Sequence, residues 1–300
     1  LSRNRDRVGG TKQKNTGTTP PPRKTKKDSD SEGDAFSFVV PTQFVELPSK
    51  GAYYGPEHAL HNQETVEIKH MTAKEEDILT SRSLLKKGLA LDRVIQNLIV
   101  DRSINADELL VGDRNAIVIA ARISSYGADY TTKVTCPACN NAQEYDFNLI
   151  DARVTEVEEK SLETFDVLNN EDGTFDIELP VTKVRVKFKI LTGRDEKIML
   201  NHANNSRKNR NRSGKSAKGV EKNVTSQLQG MIVSVNGDDS LKAKTHLIDN
   251  IPSMDSRHLR FAQRAATPNV ELSEEFECEQ CGFETEMEVP LTADFFWPDR

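Results

Sequence analysis

Two CxxC units, Cys136-Pro137-Ala138-Cys139 and Cys278-Glu279-Gln280-Cys281, account for every cysteine in the chain. A knuckle of this spacing turns both thiolates toward one point, and two knuckles complete the tetrahedral four-sulfur shell that Zn(II) favours. Each lies between short runs that alternate apolar and polar residues: Tyr130 to Val134 and Gln143 to Leu149 around the first, Leu272 to Phe276 and Glu284 to Pro290 around the second. This alternation predicts a β-hairpin with a knuckle at its tip, twice. A redox CxxC opens a helix that lowers a thiol pKa, whereas strand-like residues follow these pairs. A disulfide inside either CxxC would be strained and would need an oxidising compartment. An iron–sulfur cluster uses the same ligands and stays open beside the favoured zinc. With all four positions filled by Cys136, Cys139, Cys278 and Cys281, the metal would be structural, because a catalytic zinc keeps one position for water or substrate.

The chain between and around the knuckles is that of a water-soluble protein. It carries a net charge of −6 with 36% hydrophobic and 29% charged residues. Its 300 residues can bury one sizeable core or two small ones. No apolar run approaches the roughly 20 residues that span a bilayer, and no charged-then-apolar signal segment is found at the start.

Residues 1–35 are polar and mix basic residues around Pro20-Pro21-Pro22 with Asp28, Asp30, Glu32 and Asp34, which predicts a disordered arm. Residues 36–150 form a first ordered unit. Val66 to Lys69 reads as a strand, and Thr72 with Glu75 as the capping box of a helix that Gly88 stops. Leu91, Val94, Ile95, Leu98 and Ile99 have the spacing of one buried helix face. Asp113 is placed to cap a further helix through Ile117, Ala120, Ala121 and Arg122, after which the first cysteine hairpin follows.

Residues 151–174 are acidic and carry the turn Asn169-Asn170-Glu171-Asp172-Gly173, which reads as an acidic linker or as a helix ending in a hairpin loop, and 175–300 repeat the plan of the first unit. Glu178-Leu179-Pro180 answers Glu46-Leu47-Pro48, and Val186 to Lys189 with Thr192, Asp195, Glu196, Ile198 and Met199 answers Val66 to Lys69 with Thr72, Glu75, Glu76, Ile78 and Leu79. At one constant shift Asp113 pairs with Asp255, Ile117 with Leu259, Arg122 with Arg264, and each cysteine with its counterpart. The expected fold is therefore α+β: an internal duplication of strand–helices–CxxC hairpin units joined by a zinc-ribbon-like site. Since neither hairpin saturates a metal alone, the ion would clamp the halves together.

Within the second unit the basic loop 202–219 contains Arg207, Lys208, Arg210 and Arg212 among Asn, Ser and Gly. It reads first as a solvated loop, and second as a phosphate-contacting segment that lacks aromatics to stack bases. No HExxH, GxSxG, Walker A or GxGxxG occurs, and carboxylate spacing suits helix surfaces, so no enzyme is expected. Phe295, Phe296 and Trp297 close the chain; either they fold back as a plug, or they serve as a partner-binding anchor.

Several stretches resemble a known family. Leu47 to Gly51, Met71 to Leu79, Leu110-Val111-Gly112-Asp113-Arg114-Asn115-Ala116, the CPxC knuckle and Phe295-Phe296-Trp297-Pro298 look like the baseplate proteins of T-even-type contractile-tailed bacteriophages. The resemblance runs from about Phe36 to Arg300. It implies a structural component or assembly factor of the tail baseplate hub, in the virion or the host cytoplasm, with other tail proteins as partners. The alternative reading is a zinc-ribbon nucleic-acid-binding protein using the arm and the basic loop.

Overall fold

The computed structural model describes residues 40–157, 159–199, 201, 223–289 and 293–296. The arm 1–35, the loop 202–219 and Trp297 lie outside the described residues.

The chain enters through an antiparallel pair, β1 (Thr42–Glu46) and β2 (Thr65–Lys69), with Thr42 opposite Lys69 and Glu46 opposite Thr65. Its inward side chains, Val45, Val66 and Ile68, are buried. The expected capping box is present: Thr72 caps α1 (Ala73–Thr80), and the Glu75 carboxylate accepts from the Thr72 N–H at 2.9 Å. The helix breaks at Ser81, and it is α2 (Arg82–Lys87) that ends at Gly88. The predicted stripe then appears on α3 (Ala90–Leu98), where Val94, Ile95 and Leu98 are buried and Leu91 is half-buried.

Helix α4 (Val111–Tyr126) is the spine of the molecule. Gly112 lets it lie against the main chain at Pro268: a Cβ there would sit 2.1 Å from the Pro268 carbonyl oxygen. Asp113 does not cap α4 as the sequence suggests, because the helix starts two residues earlier with Leu110 at its N-cap. The carboxylate points instead across to the loop after β1. It accepts from the Ser49 N–H (2.9 Å), the Ser49 hydroxyl (2.6 Å) and the Tyr54 hydroxyl (2.7 Å). A buried carboxylate needs such donors, since a charge without partners costs several kcal/mol.

A seven-residue hairpin follows, β3 (Asp129–Thr135) with β4 (Ala142–Asn148). Residues 151–174 have structure of their own, including a short helix followed by a hairpin turn at Asn170 to Gly173. They contain β5 (Arg153–Thr155), α5 (Glu159–Thr164) and β6 (Leu168–Asn169). β6 then opens an antiparallel sheet in the order β6, β7 (Thr174–Glu178), β8 (Arg185–Lys189), β9 (Ile232–Val235). Phe175 and Phe188 stack at 5.3 Å on its inner face.

Helix α6 (193–199), α7 (Asn223–Met231), α8 (Leu241–Asn250) and α9 (Ser253–Ala265) complete the helical layer. The chain then forms β10 (Asn269–Glu271), which pairs with β5, and the hairpin β11 (Ser273–Glu277) with β12 (Glu284–Glu288). Asp255, in the first turn of α9, takes the Val181 N–H (2.8 Å), the Thr182 N–H (3.0 Å) and the Thr182 hydroxyl (2.7 Å). Its position after Glu178-Leu179-Pro180 parallels that of Asp113 after Glu46-Leu47-Pro48.

The halves meet along a continuous core. The stretch 107–111 runs beside 191–194, with Val111 N–H donating to the Leu191 carbonyl (3.1 Å) and Gly193 N–H to the Leu109 carbonyl (3.0 Å). Ion pairs cross the same seam, Arg114 with Glu196 (3.1 Å) and Lys197 with Asp92 (2.9 Å) and Asp107, and Arg114 also pairs with Asp92 on its own side. The contact between halves therefore does not depend on the cysteines alone.

Candidate metal centre

Both knuckles share one backbone plan. In the first, Cys136 N–H donates to the Asn141 carbonyl (2.8 Å) and Asn140 N–H to the Cys136 carbonyl (2.9 Å). In the second, Cys278 N–H donates to the Phe283 carbonyl (3.0 Å) and Gly282 N–H to the Cys278 carbonyl (2.8 Å). The tight return needs a left-handed residue after the second cysteine, and Asn140 (φ 57°) and Gly282 (φ 65°) supply it, the residue types that tolerate that region best.

The hairpins bring the knuckles face to face. All four sulfurs lie within 4.8 Å of one another, and none is in a disulfide. Two close pairs run across the halves, Cys139 to Cys278 at 3.6 Å and Cys136 to Cys281 at 3.8 Å. A Zn–S bond of about 2.3 Å sets the edge of a regular four-sulfur tetrahedron at about 3.8 Å, so this spacing fits one metal ion. A disulfide-bonded sulfur pair would be far closer, at about 2 Å. Cys136 and Cys278 are buried, while Cys139 and Cys281 are exposed.

The surroundings favour the thiolate at Cys278 and oppose it at Cys281. Burial opposes ionisation of Cys278, yet the N–H groups of Cys281 and Gln280 and the neighbouring thiols outweigh it and bring its pKa down to about 7. For Cys281 the Phe283 N–H favours the thiolate, but desolvation and the other three thiols prevail and push it up to about 12. Four sulfurs this close cannot all ionise without a cation between them, and a divalent metal removes that conflict. The cluster can hold a metal ion with no position left for substrate.

Two residues that the spacing of cysteines does not reveal hold the hairpins together. Gln143, buried on β4, donates its amide to the Glu277 carbonyl and accepts from the Glu279 N–H, both at 3.0 Å, so it grips the main chain on either side of Cys278. The Tyr145 hydroxyl donates to the Glu275 carbonyl at 2.6 Å. Their one signal in the sequence is position: Gln143, Tyr145 and Phe147 share a strand face.

The closing aromatics are placed otherwise than a partner anchor requires. Phe295 and Phe296 sit in a short 3-10 turn (Ala293–Phe296) and are 0% and 1% exposed. Phe295 packs on Tyr130 at 4.9 Å, and its carbonyl accepts from Arg122 Nε at 3.2 Å. Rings then continue from Tyr130 through Phe147 and Tyr145 to Phe276 beside the second knuckle. Of the two roles the sequence leaves open for Phe295 and Phe296, plug or partner anchor, their burial is that of the plug: apolar rings of this size gain more by filling the gap beside α4 than by staying in water. Arg207, Lys208, Arg210 and Arg212 lie outside the described residues.

These features define a mixed helix-and-strand protein with a four-cysteine cluster that could hold a metal and, among the described residues, no helix long and apolar enough to cross a membrane. A family model described as T4 bacteriophage base plate protein matches residues 41–297, and the chain belongs to that family. No curated protein matches, and neither does any solved structure.

Proposed function

We propose that the chain is a structural component or assembly factor of the bacteriophage tail baseplate hub, acting through protein–protein contacts and stabilised by one zinc ion on Cys136, Cys139, Cys278 and Cys281. The family membership over residues 41–297 carries the reading. The four-cysteine cluster supports its structural character, since a site closed by four protein ligands offers nothing for a substrate to bind. In this reading the protein is no enzyme, and it works in the virion tail or beside nascent tails in the host.

The two halves are, in the same reading, copies of one ancestral unit. The paired knuckle bonds, the loop-holding roles of Asp113 and Asp255, and the Thr72–Glu75 and Thr192–Asp195 caps support this. Zinc then joins two units that also share a core. It fixes the hairpins more than it holds the halves. No observation on the described residues favours the nucleic-acid alternative.

Affinity purification of the tagged chain from phage-infected bacteria tests the role. Tail and baseplate proteins should co-purify, and recovery of nucleic acid without any tail protein would reject the proposal.

A further inference from the structure

The two cysteine hairpins match in backbone but differ in charge. On the first, Lys133 faces Glu144 across the strands, an opposite-charge pair. At the same positions of the second, Glu275 faces Glu286, and two residues nearer the tip Glu277 faces Glu284. Like charges directly opposite each other destabilise a hairpin. Between Val270 and Val289 stand eight glutamates and no lysine or arginine, more negative charge than the whole chain's net −6. Glu275, Glu277, Glu284 and Glu286 are exposed, and none is in an ion pair among the described residues. At the tip Phe283 is 39% exposed.

Helix α9 carries the opposite. Its buried side, Asp255, Leu259 and Ala262, faces the core, and its outer side shows Met254 (67% exposed), Arg257, Phe261 (44% exposed) and Arg264. Arg257 lies over the Phe261 ring at 5.1 Å. Neither Arg257 nor Arg264 has an acidic partner among the described residues. The arginines are seven residues apart, about 10 Å along the helix. The two Glu–Glu pairs are about 7 Å apart along the strands, within reach of long guanidinium side chains. Arginine and aromatic residues on one exposed face are typical binding anchors.

We infer that the acidic hairpin β11–β12 of one copy docks on the Arg257–Phe261–Arg264 face of α9 in a second copy, with Phe283 meeting Met254 and Phe261. The contact joins two different surfaces, so it is heterologous and builds rings or open chains rather than a closed twofold dimer. The inference goes beyond the hub reading and rests on charge and exposure alone.

Sedimentation velocity of the full, zinc-loaded chain across protein concentration tests it. Self-association above the 33.6 kDa monomer is expected at low salt and should fall at least tenfold in about 0.5 M NaCl. The double variant Arg257→Glu/Arg264→Glu, and separately Glu275→Lys/Glu277→Lys/Glu284→Lys, should each be monomeric with unchanged circular dichroism. Mixing the two should restore association, because each then offers the other an opposite charge. Phe283→Ser, which leaves charge untouched, should weaken wild-type association at least tenfold. A chain that is monomeric at every concentration and salt, a reversal on either face that leaves association intact, or a mixture that stays monomeric overturns the proposal.

Discussion

Replacing Phe295 with alanine tests whether the chain's closing turn belongs to the core. The side chain is 0% exposed, lies against Tyr130 at 4.9 Å and Phe296 at 5.8 Å, and belongs to a residue whose carbonyl Arg122 holds. Truncation of a buried phenylalanine costs about 3–5 kcal/mol, part from lost transfer energy and part from the cavity left behind. The upper half of that range applies here, because Tyr130 and Phe147 are themselves pinned by β3 and β4 and cannot collapse into the space. For a chain of this size the loss lowers the melting temperature by about 10 °C. Urea unfolding followed by circular dichroism would read it as a lower midpoint with an unchanged slope. A change below about 1 kcal/mol would refute the reasoning and return the turn to the role of a free anchor. Since the rings link Phe295 to Phe276, the variant should also bind metal less tightly.

Two further predictions concern positions on the helices. Asp255 has its pKa held below the ordinary carboxylate value: burial raises it, but the Thr182 hydroxyl and the Val181 and Thr182 N–H groups prevail. A depressed folded pKa gives stability that is present above the unfolded value of about 4 and lost as pH falls through the folded one. Asp255→Asn should therefore cost about 2 kcal/mol at pH 7 and less at pH 3, as measured by urea midpoints at both pH values. Gly112→Ala should destabilise by about 3 kcal/mol, since its Cβ meets a main-chain carbonyl that cannot swing aside, and a wild-type thermal midpoint would contradict that close approach.

Features that announce themselves by local chemistry were legible in the sequence. The knuckles, the Thr72–Glu75 box and the α3 stripe depend on residues within a few positions of one another, and the structure has each of them. What needed three dimensions was misread or missed. Asp113 has the look of a helix cap, yet its three donors come from a loop some sixty residues earlier, which no local pattern encodes. The acidic stretch after the first hairpin reads as a linker or as a helix before a hairpin loop; its turn residues mark the β6–β7 hairpin, whereas the pairing of β5 with distant β10 has no local signal. For Phe295 and Phe296, which follow the last strand where chain ends commonly fray, the sequence leaves plug and anchor equally open, and only the gap beside α4 makes them core. Gln143 carries no signature of its own, because its role is set by a facing main chain 134 residues away.

The most direct test of the account is the metal. The chain, purified under reducing conditions, should contain one zinc by elemental analysis, and cobalt substitution should give the intense visible bands of a tetrahedral thiolate site. Cys139→Ser or Cys281→Ser alone should release the ion, because each half supplies only two ligands, while much of the helical circular dichroism persists through the shared core. Zinc in a one-to-one ratio, lost on changing a cysteine of either knuckle, is the result predicted. Protein without any metal, or a chain that keeps its zinc after one knuckle is destroyed, would contradict it.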